Sequence, residues 1–261
     1  MEAVPLLVTR ENDVLRLTIN RPDAANTLDV ALSKALFHAA IECDEDETVR
    51  AVLLTGNGKL FCGGGDITGF AAAGDSVSHL AKELTTYLNG AVSRLARMDK
   101  PLVVAVNGPA AGAGLSLAML GDIVIAEPEA HFSAAYSAIG LTPDLGQSWL
   151  LPRLVGLRRA QELMLTNRRV GAREAAEIGL ITRVAAGDAL AEASALAVEL
   201  ASGPRSAIAG IRALLARSFT TGLEEQLELE ARAIAKALRG MEGQEGISAF
   251  LSKRKADFRC P

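Results

Sequence analysis

The chain has 261 residues, of which 49% are hydrophobic and 4% aromatic, and its formal net charge is -4 at pH 7. That length suffices for a full hydrophobic core, and the composition excludes general disorder and favours helices packed on a sheet. The charge balance offers no basic surface for nucleic acid, and the apolar runs are too short to span a membrane. The N-terminal residues lack the pattern of a secretory signal, and the three cysteines lack metal-ligand spacing, which predicts a reduced, cytoplasmic protein without a metal site.

The first half of the chain carries the patterns of β-strands separated by helices. Apolar and polar residues alternate from Leu15 to Asn20, as in a half-buried strand, and Arg21-Pro22-Asp23 is expected to end it. Asp29 then predicts the N-cap of a helix that runs to about Cys43. Continuous apolar runs indicate further strands at 50–55, 102–106 and 123–126. Such strands, alternating with helices, are typical of a largely parallel sheet that is covered on both faces.

Beyond about Leu150 the sequence changes to alanine-rich helix. Helices are predicted at 158–165, 172–178, 189–202 and 206–219. The stripe Leu223, Leu227, Ile234 and Leu238 predicts another helix, ending at Gly240. The predicted fold class is therefore α/β, with a β/α core domain over 1–200 and a C-terminal helical region over 201–261.

Two turns of small residues follow predicted strands and precede helical segments. The first is Phe61-Cys62-Gly63-Gly64-Gly65-Asp66-Ile67, in which Asp66 is placed to cap the next helix, and the second is NGPAAGAGLSLA at 107–118. Each turn can supply one backbone N–H, and together these donors can bind developing negative charge, as in an oxyanion hole. The alternative is a purely structural role, in tight turns and close helix–sheet packing. Neither turn has the pattern of a phosphate loop or a dinucleotide fingerprint.

The two turns together resemble the crotonase superfamily of enoyl-CoA hydratases and isomerases. The likeness is carried by FCGGGD at 61–66 and by KPLVVAVNGPAAGAGLSLAMLGDIVIAEPEAHF at 100–132. It extends through LITRV at 180–184 and FLSKRK at 250–255, with Phe258, to nearly the whole chain. The resemblance implies repeated β-β-α units and C-terminal helices that build a homotrimer or a dimer of trimers. It also implies an acyl-CoA substrate, with coenzyme A entering as part of the thioester and no separate cofactor.

The resemblance also assigns roles to individual residues. The donors to the thioester oxygen would be the N–H groups of Gly65 and Ala113, for which alanine serves as well as glycine. Ser116 and Tyr136 would border the acyl pocket. The residues expected near the CoA are Ala24, Ala25, Gly63, Asp66 and Ile67, with Lys255 and Phe258 as candidates for reaching its nucleotide end, either within the chain or from a neighbouring subunit.

The chain departs from the hydratases of this family at both of their catalytic glutamates. Ser116 and Tyr136 stand at those two positions, and neither is a carboxylate that could activate a water or protonate carbon. A carboxyl group does occur nearby, at Asp144 in GLTPDLG. This segment is similar to that of the family's double-bond isomerases, including the ring-epoxide phenylacetyl-CoA isomerases, which carry their single acid/base here.

The apolar neighbours of Asp144 are expected to disfavour its ionisation and make it a better proton shuttle. The alternative for Asp144 is an N-cap of the helix through Leu150. Three functions therefore remain open: an isomerase that uses Asp144 as its acid/base, a hydratase with unconventional groups, and a non-catalytic acyl-CoA-binding subunit. Asp144 separates the first from the third, and Ser116 with Tyr136 argues against the second.

Overall fold

A six-stranded sheet is the framework of the protein, whose computed structural model describes residues 4–259. Its strands, in spatial order, are β1 (Leu6–Glu11), β2 (Val14–Ile19), β3 (Ala51–Gly56), β4 (Leu102–Val106), β6 (Ile123–Ala126) and β9 (Arg183–Val184). The β1–β2 pair is antiparallel and the other pairs are parallel, which confirms the predicted, largely parallel sheet. A smaller sheet contains β5 (Ala110–Ala111), β7 (His131–Ser133) and β8 (Val170–Gly171).

Eleven α-helices connect and cover these strands within the described part of the chain. They are α1 (Val30–Glu45), α2 (Ile67–Ala72), α3 (Val77–Arg97), α4 (Ala113–Ala118), α5 (Gln147–Val155), α6 (Leu157–Thr166), α7 (Ala172–Glu177), α8 (Ala189–Ala201), α9 (Arg205–Arg217), α10 (Leu223–Arg239) and α11 (Met241–Leu251). The caps predicted at Asp29 and Asp66 are confirmed, since their side chains accept from the backbone N–H groups of Leu32 and Gly69. Helix α1 continues to Glu45, slightly beyond the predicted end at Cys43.

Both faces of the large sheet are buried, and successive residues of each central strand belong to different cores. In β3, Val52 and Leu54 join the larger core, whereas Ala51 and Leu53 face α8. Helix α8 buries alanines at every fourth position, Ala189, Ala193, Ala197 and Ala201. Because these side chains are small, the helix backbone can lie close to the strands. The sheet is therefore a rigid base for the turns that follow its strands.

Helices α9 to α11 lie outside these cores. Of the described residues after Ala201, only Ala249 is buried, and large apolar side chains of α9 to α11 are exposed. The change in burial falls where the sequence predicts a separate helical region, and the boundary at residue 200 itself stays a prediction. No helix within 4–259 is long and apolar enough to cross a bilayer.

Candidate active site

The two small-residue turns pack directly against each other at the ends of β3 and β4. The Ala111 N–H donates a hydrogen bond to the Cys62 carbonyl oxygen at 3.0 Å. A Cβ built on Gly114 would lie only 2.1 Å from that same oxygen, so a side chain at this position is excluded. The close-packing role proposed for the turns is therefore confirmed for Gly114. It does not account for the neighbouring residue, Ala113.

Two backbone N–H groups at this contact have no partner. Ala113 is the first residue of α4, so its N–H has no carbonyl to bond within the helix. Within residues 4–259, neither the Ala113 N–H nor the Gly65 N–H donates a hydrogen bond. A Cβ built on Gly64 would lie 3.6 Å from the Ala113 nitrogen, which shows how close the two turns come. The contact thus offers two unused donors on adjacent loops, an arrangement suited to an oxygen that gains negative charge.

A carboxyl–phenol pair lies beside the second turn. The Tyr136 hydroxyl donates a hydrogen bond of 2.5 Å to Asp144 Oδ1. The residues next to them, Ala135 and Leu145, have φ values of 63° and 49°, in the left-handed region. Such a conformation costs a non-glycine residue about 1–3 kcal/mol. The backbone is therefore strained at the two points that place these side chains in contact.

Burial controls the protonation of this pair. It raises the pKa of the Asp144 carboxyl, and the hydrogen bond from Tyr136 offsets part of that rise. Burial, together with the negative charge of Asp144, also raises the pKa of Tyr136. Tyr136 therefore stays a neutral donor, while Asp144 holds its proton to a higher pH than an exposed aspartate does. The expectation that apolar surroundings disfavour the ionisation of Asp144 agrees with this direction.

The alternative role of Asp144 as a helix N-cap is wrong. Helix α5 begins at Gln147 after Gly146, and no side chain caps it. Asp144 contributes its backbone oxygen to this turn, accepting from the Gln147 N–H at 3.0 Å. Its carboxylate faces Tyr136 instead. The side chain is therefore not used to start the helix.

Ser116 and Gln147 connect α4 to the Asp144 loop. Both residues are fully buried. The Ser116 hydroxyl donates to the Asp144 backbone oxygen at 3.3 Å, and the Gln147 side-chain amide donates to the Gly112 carbonyl oxygen at 3.1 Å. Ser116 is thus bound to the loop of the catalytic candidate rather than free to act on a water. Gln147 is not predicted from the sequence, because a glutamine after a Gly146 turn matches no catalytic motif.

The residues predicted near the CoA lie together on one side of the glycine turn. The Gly63 N–H donates to the Ala25 carbonyl oxygen at 2.9 Å, and Ala24 precedes it in an exposed turn. Ile67 is half exposed at the start of α2. Asp66, besides capping that helix, forms an ion pair of 3.3 Å with Arg21, which the sequence alone does not indicate. The Gly63–Ala25 bond thus brings the turn of Ala24 and Ala25 to the surface that the glycine turn and the start of α2 present next to Gly65.

Lys255 and Phe258 are not brought to this surface within the chain. The Phe258 carbonyl oxygen accepts from Arg50, directly before β3, whereas the glycine turn follows the other end of β3. Phe258 also lines a groove of about 1040 Å³ between α9, α10 and α11, and Lys255 is exposed in the tail after α11. Their contact with the CoA of a neighbouring subunit stays a prediction.

A cavity of about 460 Å³ lies beside Tyr136. Its wall is largely apolar and includes Leu141, Pro143, Leu157, Met164 and Leu165. Cys62, near the glycine turn, is fully buried, and burial raises the pKa of its thiol to about 12, so it is not a nucleophile at neutral pH. Cys43 is also a buried free thiol, and Cys260 lies outside the described residues. Among residues 4–259, no group of three or more histidine, cysteine or acidic side chains could hold a metal ion.

Comparison with known proteins agrees with the resemblance carried by the two turns. Residues 9–260 match the family described as Enoyl-CoA hydratase/isomerase. The 1,2-epoxyphenylacetyl-CoA isomerase of Escherichia coli K12 is 39% identical over 251 residues, covering 95% of each chain. A probable enoyl-CoA hydratase of Rhodobacter capsulatus is 38% identical over 243 residues, covering 93% of each.

A solved structure extends the comparison to the fold. The enoyl-CoA hydratase from Polaromonas sp. JS666 superposes with a TM-score of 0.92 at 34% identity, covering 97% of this chain and 98% of that one. The α/β crotonase-like fold expected from the sequence is thereby confirmed. On the family match and on these identities, the chain belongs to the enoyl-CoA hydratase/isomerase family.

Proposed function

We propose that the protein is an acyl-CoA isomerase that shifts a double bond, or rearranges a ring epoxide, through an enolate, with Asp144 as its single acid/base. The observation that carries the proposal is the partly buried Asp144 carboxyl, with its raised pKa, on a loop that Ser116 and Gln147 connect to the turn holding the unused Ala113 N–H. A relative at 39% identity is named as an epoxyphenylacetyl-CoA isomerase, which supports a ring substrate as one candidate.

The thioester oxygen is proposed to bind the N–H groups of Gly65 and Ala113. When a proton leaves the carbon next to the thioester, the electron pair moves onto that oxygen and forms an enolate. Two fixed donors stabilise this charge more than they stabilise the neutral carbonyl, and the difference accelerates the reaction. The cavity beside Tyr136 is apolar enough to take the acyl group.

Asp144 is proposed to move the proton. With a 3-enoyl-CoA, its carboxylate removes a proton from C2, and the resulting carboxylic acid returns that proton to C4 of the dienolate. The double bond then lies between C2 and C3, and no water or separate cofactor is consumed. A raised pKa favours both halves of the transfer, since the group must accept and then donate the same proton.

The second candidate is a hydratase, favoured by the names of several relatives. Addition of water requires one group to activate the water and another to protonate carbon. Ser116 is bonded to the Asp144 loop, and the neutral phenol of Tyr136 donates to Asp144, so neither supplies a general base. The arrangement therefore supports proton shuttling by one carboxyl more than water addition.

The test is to compare wild type and Asp144→Asn with a 3-enoyl-CoA, a 2-enoyl-CoA and a ring-epoxide phenylacetyl-CoA. Asparagine keeps the shape and an acceptor oxygen for Tyr136 but cannot take up a proton. We expect isomerisation by the wild type and a loss of roughly 10²–10⁴ in turnover in the variant, the usual contribution of a positioned acid/base, with acyl-CoA binding retained.

Asp188→Asn is the matched control, because Asp188 caps α8 and asparagine caps helices equally well. It should leave turnover unchanged. Unchanged isomerisation in Asp144→Asn would refute the mechanism, hydration of the 2-enoyl-CoA would establish the second candidate, and binding without turnover in either protein would establish a non-catalytic subunit. The predicted cytoplasmic location is independent of these outcomes and stays a prediction.

The proposed active form is a homotrimer or a dimer of trimers. Phe219, Leu223, Ile234 and Phe250 on or next to α9, α10 and α11 are each more than half exposed. Apolar side chains gathered in this way are characteristic of surfaces that bind another chain. Since these helices bury almost nothing within the subunit, a second copy is the proposed partner.

A further inference from the structure

We infer that Gln147 is a positioning residue that orients the peptide unit carrying the Ala113 N–H. The inference rests on the proposed function, because that N–H is one of the two proposed oxyanion donors. Gln147 itself does not touch the thioester in this proposal. It acts through the backbone of the second turn.

The peptide between Gly112 and Ala113 carries both the proposed donor and a hydrogen-bonded carbonyl. Its carbonyl oxygen accepts hydrogen bonds from the Gln147 Nε2 at 3.1 Å and from the Ser116 N–H at 3.2 Å. No peptide bond in the described chain is cis, so the carbonyl and the N–H of this unit point in opposite directions. Holding the carbonyl therefore fixes the direction of the Ala113 N–H. Bonds to the carbonyl also polarise the peptide and make its N–H a stronger donor.

The peptide needs such a restraint. Gly112 has φ 53° and ψ −123°, a conformation that glycine reaches easily but from which it can also move easily, because it has no Cβ. Ala113 is the first residue of a helix of only six residues, so the helix itself restrains this end weakly. The hydrogen bond from the Gln147 side chain supplies a restraint from another element, because it joins the start of α5 to the turn before α4.

The state of the Gln147 side chain supports this role. The residue is fully buried, yet its Oε1 has no hydrogen-bond partner among residues 4–259. An apolar side chain would fill the same space without leaving a buried acceptor unpaired. The amide nitrogen must face Gly112, since a carbonyl oxygen can only accept. The presence of a buried amide at this position is therefore explained by the hydrogen bond that its nitrogen donates to the Gly112 carbonyl oxygen.

Gln147 also connects the two halves of the proposed mechanism. Its backbone N–H donates to the Asp144 carbonyl oxygen at 3.0 Å, while its side chain holds the Gly112 carbonyl. Nε2 lies 3.5 Å from Ser116 Oγ, which in turn donates to the Asp144 backbone. One residue thus sets the position of the acid/base loop relative to the donor peptide.

The test measures polarisation of a bound thioester directly, without relying on turnover alone. Cinnamoyl-CoA absorbs at longer wavelength when its carbonyl accepts stronger hydrogen bonds, so the band shift reports the strength of the oxyanion hole. Gln147→Met keeps the length of the side chain and removes the donor. We expect a smaller band shift and a fall in kcat of about tenfold, less than the roughly 10²–10³ that follows loss of an oxyanion donor, with KM nearly unchanged.

Gln147→Asn provides a second variant, because it keeps the amide but is one methylene too short to reach Gly112; it should show the same two losses. Thr85→Val is the control, because it also removes a side-chain donor to a backbone carbonyl, that of Ala81, but within α3 and outside the proposed site; it should change neither quantity. A folded Gln147→Met protein with the full band shift and full turnover would overturn the inference alone. Wild-type protein that binds cinnamoyl-CoA without any band shift would refute the oxyanion hole itself, and the two failures are therefore distinguishable.

Discussion

Replacing Ala113 by proline removes one proposed oxyanion donor with little disturbance of the fold. The first position of a helix accepts proline, since its N–H bonds nothing within the helix. The residue before a proline must be extended, and Gly112, at φ 53° and ψ −123°, has the mirror image of an extended conformation, which is open to glycine. Ala113→Pro is therefore expected to fold.

The expected loss follows from the number of donors. With Ala113→Pro, only the Gly65 N–H remains for the enolate oxygen. Loss of one such donor raises the barrier by about 2.7–4 kcal/mol, which corresponds to a fall of roughly 10²–10³ in kcat. Ala113→Gly retains the N–H and is expected to stay close to wild type, because the donor belongs to the backbone.

The assay follows the conversion of a 3-enoyl-CoA to the conjugated 2-enoyl-CoA by the absorbance of the conjugated thioester. Thermal melting of each variant establishes that it is folded, and acyl-CoA binding establishes that the site is formed. Near-wild-type turnover in a folded Ala113→Pro protein would show that this N–H does not hold the oxygen. An equal loss in Ala113→Gly would assign the effect to the side chain rather than to the donor.

Two further predictions concern protonation and assembly. Tyr136→Phe removes the hydrogen bond that lowers the pKa of Asp144, so this pKa should rise further and the acid limb of the kcat–pH profile should move to higher pH. The control Tyr87→Phe, in α3, should leave the acid limb in place. An acid limb that stays or moves to lower pH in Tyr136→Phe contradicts the pairing of Tyr136 with Asp144. Light scattering at micromolar concentration should give the mass of a trimer or of a multiple of it, and a monomeric mass would contradict the proposed assembly.

Strands β3, β4 and β6 were predictable from the sequence because each is a continuous apolar run, and β2 because its apolar and polar residues alternate. Strand β1 was not, since five of its six residues are exposed at the edge of the sheet and its sequence LLVTRE does not alternate apolar and polar residues. Strands β5, β7 and β8 contain two or three residues each, too few for any periodicity. Helix α3 did carry a signal, with Leu84, Leu88, Ala91 and Leu95 buried on one face.

The site was predictable only where motifs mark it. The two turns are recognisable in the sequence by their glycine runs. Asp144 is recognisable because its segment resembles that of the family's isomerases. The contact between Tyr136 and Asp144 is not, since it depends on the left-handed conformations of Ala135 and Leu145, which neither residue type favours. Gln147 leaves no pattern at all, because its effect passes through a backbone carbonyl of another element.

The raised pKa of Asp144 also has a consequence for stability. The unfolded chain ionises this carboxyl at its ordinary value of 3.8, whereas the folded protein holds the proton to a higher pH. The folded state therefore binds more protons than the unfolded state between these two values, and the free energy of unfolding falls as the pH rises through them. At pH values above 3.8, the partly buried Asp144 carboxyl thus lowers stability.

Asp144→Asn should remove this destabilisation, because asparagine carries no charge and still offers an oxygen to the Tyr136 hydroxyl. We expect a melting temperature at pH 7 at least as high as that of wild type, with the difference shrinking towards the lowest pH at which both proteins stay folded. A variant that is less stable at every pH would show that the carboxylate holds the loop together. Higher stability combined with lost isomerisation is instead the pattern of a group kept for its chemistry, since natural proteins retain such groups at a cost to the fold.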